Sequence, residues 1–113
     1  MIERIFSLSE SIRYVAVYRS GQLESRVKSG LASASSAESD RYEELLVNPV
    51  LLKLAEQRGN IDCGGLNYLV VRYGHFFQFV LPTDWGHVSV CIAADAEPIG
   101  IGERIKALVD GEG

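Results

Sequence analysis

The chain has few cysteines and no long apolar run. Cys63 and Cys91 are its two cysteines among 113 residues, too few for a disulfide framework. No apolar run approaches the roughly 20 residues that span a bilayer, so membrane insertion is not expected. The first residues lack a basic segment followed by an apolar one, and we therefore expect no signal peptide and a cytoplasmic protein.

Positive charge is also scarce. Eleven basic and fifteen acidic side chains give a net charge of −4. Nucleic-acid binding needs a dense basic surface that displaces counterions, so nucleic acid is not an expected partner. The length suits one domain, 1–113, and the hydrophobic share of 47% is ordinary for a globular chain.

Motifs that hold cofactors or metals are missing. The segment 99–103, Ile-Gly-Ile-Gly-Glu, has two glycines but neither the third glycine nor the preceding strand and turn of a dinucleotide loop. His87 and Cys91 share one face of a predicted strand but lie about 13 Å apart, too far to bind one zinc ion. His75 facing His87 across a hairpin would supply two ligands at most. We expect no metal, no cofactor and no catalytic residues.

An enzyme with a cysteine nucleophile is a remaining alternative. Such an enzyme needs a base within hydrogen-bond reach, for example His87 near Cys63 or His75 near Cys91, and a third group that orients the base. Cys91 is predicted to be a small buried side chain in mid-strand. Cys63 precedes two glycines and is predicted to be accessible.

The first third of the chain predicts a helix followed by a hairpin. Ile2, Ile5 and Phe6 lie on one face of a short helix over 2–11. β-Branched and aromatic residues indicate a strand over 12–19, and the alternating residues 22–28 indicate a half-exposed edge strand. The Ser/Ala/Gly-rich segment 29–39 is typical of a flexible loop.

The middle of the chain predicts a helix with a kink. Asp40 and Glu43 have the spacing of a capping box, and Asn48 followed by proline is typical of a second helix start. The prediction is therefore two segments, 41–47 and 49–58, that meet at an angle. Their apolar residues form a stripe broad enough to contact more than one surface.

Three further strands and a closing helix follow. The strands are predicted at 66–73, 76–81 and 87–94, with apolar or small residues on both faces, which indicates that both faces are covered. The final helix is predicted over 97–110. The short loops favour antiparallel neighbours. The fold class is therefore α/β (α+β): a three-layer sandwich in the order α-β-β-α-β-β-β-α, with helices on both faces of a five-stranded antiparallel sheet.

This order resembles the roadblock (dynein light chain) family within the profilin-like and longin-like folds. The likeness lies in the strand 12–18 leading through Arg-Ser-Gly at 19–21, in the Tyr73-Gly74 turn, and in the segment 96–101, Ala-Glu-Pro-Ile-Gly-Ile, which is similar to the entry into the family's last helix.

The resemblance implies a non-enzymatic module that forms homodimers or heterodimers, serves as a scaffold, and binds or regulates a small Ras-like GTPase. Roadblock-like domains pair through the middle helix and the third strand. The dimer surface implied for this chain consists of Leu45, Val50, Leu51, Leu54, Leu69, Val70 and Val71.

The residues themselves favour pairing at the strand 66–73. In a strand order of 2-1-5-4-3 this strand is an edge, and it is apolar, so it would aggregate unless it were paired or covered. A dimer satisfies that edge; coverage by loops of the same monomer is the alternative.

Two questions stay open from the sequence. Trp85 at a turn is a candidate partner anchor, because tryptophan is enriched among interface hot spots, or it folds back over the hairpin. The alternative function is a small-molecule sensor of the PAS-like or profilin-like type with an aromatic-lined pocket.

Overall fold

One five-stranded sheet organises residues 1–30 and 37–112, the part of the chain that the computed structural model describes. The strands are Ile12–Arg19 (β1), Gln22–Val27 (β2), Leu69–Arg72 (β3), Phe76–Thr83 (β4) and Gly86–Ala93 (β5). They lie in the order β2-β1-β5-β4-β3, and all neighbours are antiparallel. The predicted fold class is confirmed, and the strand order is the one in which β3 lies at an edge of the sheet.

Helices cover both faces of the sheet. They are Ile2–Phe6 (α1), Ala37–Tyr42 (α2), Asn48–Asp62 (α3) and Pro98–Gly111 (α4), and a π-helical turn, Glu43–Val47, joins α2 to α3. We call residues 37–62 together the middle helix. It covers one face, and α1 and α4 cover the other. No helix in the described part of the chain has the length and apolarity to cross a membrane.

The apolar core lies between the sheet and the pair α1 and α4. Strand alternation brings Val15, Val90 and Phe79 into one row across three strands, on the face that these two helices cover. The helices contribute buried isoleucines and a valine to the same cluster: Ile2, Ile5, Ile101, Ile105 and Val109. This single cluster holds most of the buried apolar side chains.

The middle helix differs from its prediction at both ends. It begins at Ala37, so residues 37–39 of the predicted loop 29–39 are helical, whereas 31–36 lie outside the described residues. Asp40 therefore lies inside a helix and is not a cap. The helix also runs to Asp62, beyond the predicted end at 58, and Gly59 is buried within it against the backbone of Gly65.

Asn48 and Pro49 do not divide the helix as predicted. Proline cannot donate to the carbonyl one turn earlier, and its ring crowds that carbonyl. The preceding turn widens into a π-helix, in which the Asn48 N–H bonds to the Glu43 carbonyl, and the helix continues past the proline. Asn48 has helical backbone angles and a buried side chain, so it does not cap a second helix.

Three other elements have a boundary that differs from the prediction by more than one residue. α1 ends at Phe6 instead of residue 11, and β3 is shorter than the predicted 66–73. β4 runs past its predicted end through Pro82. The pairing of β3 with β4 reaches only Val80, so β4 has an open side at Pro82, where a residue without an N–H is tolerated.

Candidate functional site: an apolar helix face, a bare sheet edge and a buried polar layer

The middle helix presents apolar side chains to solvent. Tyr42, Leu46, Val50 and Leu54 are between 48% and 61% exposed. They are four residues apart and therefore lie along one side of the helix. We call these four residues the apolar stripe. Of the eight large hydrophobic side chains exposed in residues 1–30 and 37–112, six belong to the middle helix, with Leu45 and Ile61 beside the stripe, which marks this face as an interaction surface.

The two edges of the sheet have different chemistry. β2 is almost fully exposed and carries Glu24 and Arg26, charges that discourage pairing with another strand. β3, at the other edge, has the sequence Leu-Val-Val-Arg, and its three apolar residues are half-buried. β3 therefore lacks the usual protection along most of its length.

The middle helix contacts the chain on either side of β3. Near its start, Glu43 accepts a hydrogen bond from the Tyr73 hydroxyl at 3.2 Å, and Tyr73 directly follows β3. At its end the chain folds back, with the Gly65 N–H bonded to the Gly59 carbonyl at 3.0 Å, and then enters β3. Both ends of the helix are thus tied to the segments that flank β3.

The predicted interface residues lie on the middle helix and on β3. Leu45, Val50 and Leu54 are exposed on the middle helix, and Leu51 is half-buried. Leu69, Val70 and Val71 are half-buried on β3. The sequence reasoning missed the exposure of Tyr42, Leu46 and Ile61. Their spacing from Val50 and Leu54 was the available signal, but the assumed kink obscured it.

Between the middle helix and the sheet lies a layer of buried polar side chains. The His87 ring, on β5, pairs through Nε2 with Glu44 Oε1 at 2.8 Å, and both side chains are about 98% buried. Asn48 Nδ2 donates to the same carboxylate oxygen at 2.9 Å. Because a carboxylate only accepts hydrogen bonds, the Asn48 amide must present its nitrogen to it. Helix and sheet are thus joined here by polar contacts.

The polar layer continues across β5 and β4. Asn48 reaches Ser89 Oγ at 3.4 Å, Gln78 Nε2 also donates to Ser89 Oγ, and the Cys91 thiol donates to Gln78 Oε1 at 3.1 Å. The signal in the sequence was the alternation of β5, whose residues 87, 89 and 91 are polar or small while 88, 90 and 92 are apolar. The helical partners Glu44 and Asn48 were missed.

A cavity of about 180 Å³ opens at the end of this layer, beneath the start of the middle helix. Burial, and then the negative charges of Glu44 and Asp40, raise the pKa of Tyr14 and of Cys91 far above their usual ranges. Burial likewise raises the pKa of Glu43. Three of the groups that line this cavity are carboxylates. Its walls are Tyr14, Ser39, Asp40, Glu43, Glu44, Tyr73, Phe76, Gln78 and Cys91.

The two cysteines and the two histidines lie in different environments. Cys63 is exposed, as predicted. Cys91 keeps its proton because burial raises its pKa, which is the opposite of an activated thiol. His75 is exposed in a turn, whereas His87 pairs with Pro82 and Tyr18, so the two histidines do not face each other across the hairpin. In the described part of the chain no three His, Cys, Asp or Glu side chains cluster as a metal site would require.

Trp85 folds back against the hairpin and the edge of the core. The Arg19 guanidinium lies 4.1 Å from the centre of its ring, and the Trp85 carbonyl accepts the Ser20 N–H at 2.9 Å. The ring is only half-buried. A role as partner anchor stays a prediction.

Comparison of the sequence with protein-family models and with curated proteins finds no match. Function must therefore be inferred from the stripe, the β3 edge and the polar layer.

Proposed function

We propose that this protein is a non-enzymatic regulatory or scaffolding module that acts as a homodimer. Two observations carry the proposal: the apolar stripe is exposed on the middle helix, and β3 is an unprotected edge strand whose flanking segments contact both ends of that helix. Two copies placed with these surfaces together would remove both from water. The pattern also agrees with the expectation drawn from the roadblock-like resemblance, in which the middle helix and the third strand pair.

The physical argument is a contrast within one molecule. β2 has charged residues that oppose strand addition, whereas β3 has apolar residues and the neighbouring helix adds further apolar surface. Burying apolar area contributes roughly 25 cal/mol per Å², and backbone pairing at an edge adds directional hydrogen bonds. A second copy of the chain supplies both kinds of contact at once, because a two-fold interface is self-complementary.

The test is the native mass of the protein over a concentration series. The wild type is expected at twice 12.4 kDa. Leu54→Asp places a charge in the exposed stripe and is expected to give a folded monomer. The matched control is Ile99→Asp, because Ile99 is an equally apolar, 47% exposed residue on α4 across the sheet, and it should remain dimeric. A monomeric wild type, or a dimer that survives Leu54→Asp, contradicts the proposal.

The contribution of β3 needs a separate variant. Val70 packs against the apolar core, so Val70→Asp would destabilise the monomer itself and confuse the result. Val71→Lys instead adds the charge that edge strands commonly use against pairing, on the face away from that core. We expect it to weaken the dimer while the circular dichroism spectrum stays native. A full-strength dimer would show that the stripe alone makes the interface.

For the partner we propose a small Ras-like GTPase, on the strength of the roadblock-like resemblance. Immobilised wild-type protein should retain such a GTPase from an extract loaded with a GTP analogue, and the Leu54→Asp variant tests whether the dimer is required. A purified GTPase that binds neither the dimer nor the monomer would remove it from the candidates.

A second candidate function is a small-molecule sensor. The observation that favours it is the cavity beneath the start of the middle helix, which three aromatic side chains line: Tyr14, Tyr73 and Phe76. A sensor does not require a dimer, so the native mass separates the two candidates: a monomer that retains added mass would favour the sensor.

A further inference from the structure

We propose that the edge strand β2 is a second self-association surface, which pairs antiparallel with β2 of another copy of the chain. In the sheet that the described residues form, β2 pairs with β1 on one side and has an open outer side. Five of its six residues are exposed. β2 and β3 are opposite edges of the sheet, so this pairing does not rest on the dimer proposed above.

The backbone of β2 shows which residues an incoming strand would meet. The Lys28 N–H donates to the Arg13 carbonyl on β1 at 2.8 Å. Backbone groups alternate in direction along an antiparallel strand, so every second residue before Lys28 also bonds to β1. The N–H and carbonyl groups that point away from the sheet therefore belong to Leu23, Ser25 and Val27.

The sequence of β2 is complementary to itself about Ser25. When Ser25 of one copy lies opposite Ser25 of another, the two-fold axis also places Glu24 opposite Arg26 twice. These are the positions without backbone hydrogen bonds, where facing side chains come closest. On the other face Leu23 lies opposite Val27, whose side chain is 38% exposed. Apart from the central serines, each facing pair thus joins opposite charges or two apolar side chains, and both kinds of pair stabilise a sheet.

The charges of β2 also select this register. In the nearest registers on either side, Glu24 or Arg26 would lie opposite its own copy, and like charges directly opposite are destabilising. The charges that discourage strands of unmatched sequence therefore fit a second copy of β2. Glu24 makes no ion pair within the described part of the chain. Arg26 contacts the exposed carboxylate of Glu3, yet its side chain remains 48% exposed.

The association through β2 is expected to be weak. Exposed ion pairs contribute little and are screened by salt, and β2 offers less apolar surface than the stripe. This pairing should therefore appear only at the upper end of a concentration series. In the wild type it would join the proposed dimers edge to edge.

The test is sedimentation equilibrium of the Leu54→Asp variant, in which the stripe cannot contribute. Added to this variant, Glu24→Arg or Arg26→Glu places like charges opposite each other and should weaken self-association at least about tenfold. An equimolar mixture of the two charge-reversed proteins restores both opposite-charge pairs and should associate as tightly as Leu54→Asp alone. The matched control is Arg104→Glu, a reversal of an exposed charge on α4, which should change nothing.

Three results would overturn the proposal: no association of Leu54→Asp at any concentration, association that both reversals leave unchanged, or a mixture that associates no better than its components. A wild type that is monomeric at low concentration would instead contradict the stripe dimer, and it would leave this test unaffected.

Amide exchange with water, measured by NMR on the same variant, shows whether the backbones pair. The N–H groups of Leu23, Ser25 and Val27 should exchange more slowly as the concentration rises, because they become bonded to the second copy. Those of Glu24 and Arg26 point to β1 and should not respond. Equal behaviour of the two sets would show that the charges attract without strand pairing, which also overturns the proposal.

Discussion

At the scale of single residues, the buried pair of Glu44 and His87 takes two ionisable side chains out of water. Both side chains are buried, and the His87 ring and the Glu44 carboxylate contact each other. A buried pair of this kind adds little net stability, but removal of one partner strands the other without compensation. The pair therefore determines how the middle helix sits on the sheet.

Glu44→Leu is expected to lower the free energy of unfolding by about 3–5 kcal/mol, because His87 then lacks its acceptor in a dry environment. The double variant Glu44→Leu/His87→Phe should lose less than the sum of the two single losses, since an apolar ring can still stack on Tyr18 as His87 does. Urea unfolding monitored by circular dichroism measures both effects.

The control for this prediction is Glu103→Leu on α4, which removes an exposed glutamate and should change stability by about 0.5 kcal/mol or less. A loss below about 1 kcal/mol for Glu44→Leu would show that His87 finds another partner or water there.

At the scale of elements, α4 packs closely against the sheet. Glu97 caps it by accepting the N–H groups of Ile99 and Gly100 at 2.9 and 2.7 Å. One turn on, Gly102 lies against the buried ring of Phe79, so close that a Cβ at this position would be 2.5 Å from Phe79 Cε2. Glycine here allows the helix backbone to approach the sheet.

Gly102→Ala is therefore expected to destabilise the protein by about 1–2 kcal/mol, although alanine favours helices by about 1 kcal/mol, because overpacking a full core costs about 1–3 kcal/mol. Gly111→Ala in the same helix meets no atom within 4 Å and should be neutral or slightly stabilising. Thermal unfolding of the two variants provides the comparison; equal melting temperatures would contradict the tight fit.

The ends of some elements could be predicted from the sequence and those of others could not. Strand β1 was predicted with its observed ends, because β-branched residues and a Ser-Gly turn bound it clearly. The course of the middle helix was not predicted correctly. Asn48 followed by Pro49 has the pattern of a helix start, and the sequence does not show that the turn before it widens and lets the helix continue. Pro49 is compatible with either outcome, and the buried contact of Asn48 with Ser89 on β5, which accompanies the continuous helix, is a tertiary contact that no local pattern announces.

The candidate sites also differ in how much of each could be predicted from the sequence. The β3 edge and part of the stripe were predicted, because exposure of apolar residues follows from spacing and strand order. The cavity was missed, since its walls come from β1, β4, β5, the middle helix and the residue after β3. Only the sheet register, which pairs Tyr14 with Cys91 and Cys91 with Gln78, brings these side chains together.

At the scale of the whole molecule, β5 separates two unlike layers. On one side it packs Val88, Val90 and Ile92 into the apolar core, and on the other it carries His87 and Ser89 beneath the middle helix. The two sides of the sheet therefore depend on different forces. The apolar side is held by burial of area, and the polar side by a few directional contacts and a smaller set of buried apolar residues that includes Ala16, Leu52 and Val80.

This asymmetry determines how the molecule opens. Detachment of the middle helix breaks a handful of hydrogen bonds and leaves the core intact, whereas detachment of α4 exposes the core itself. In native-state hydrogen exchange, the amides of α3 should therefore exchange through a partial opening, well before those of α4, which should wait for global unfolding. Equal protection of the two helices would contradict this order.

The stripe belongs to the helix that is expected to open first. Raising the protein concentration should therefore slow hydrogen exchange of the α3 amides more than that of the α4 amides, because self-association would hold the middle helix on the sheet.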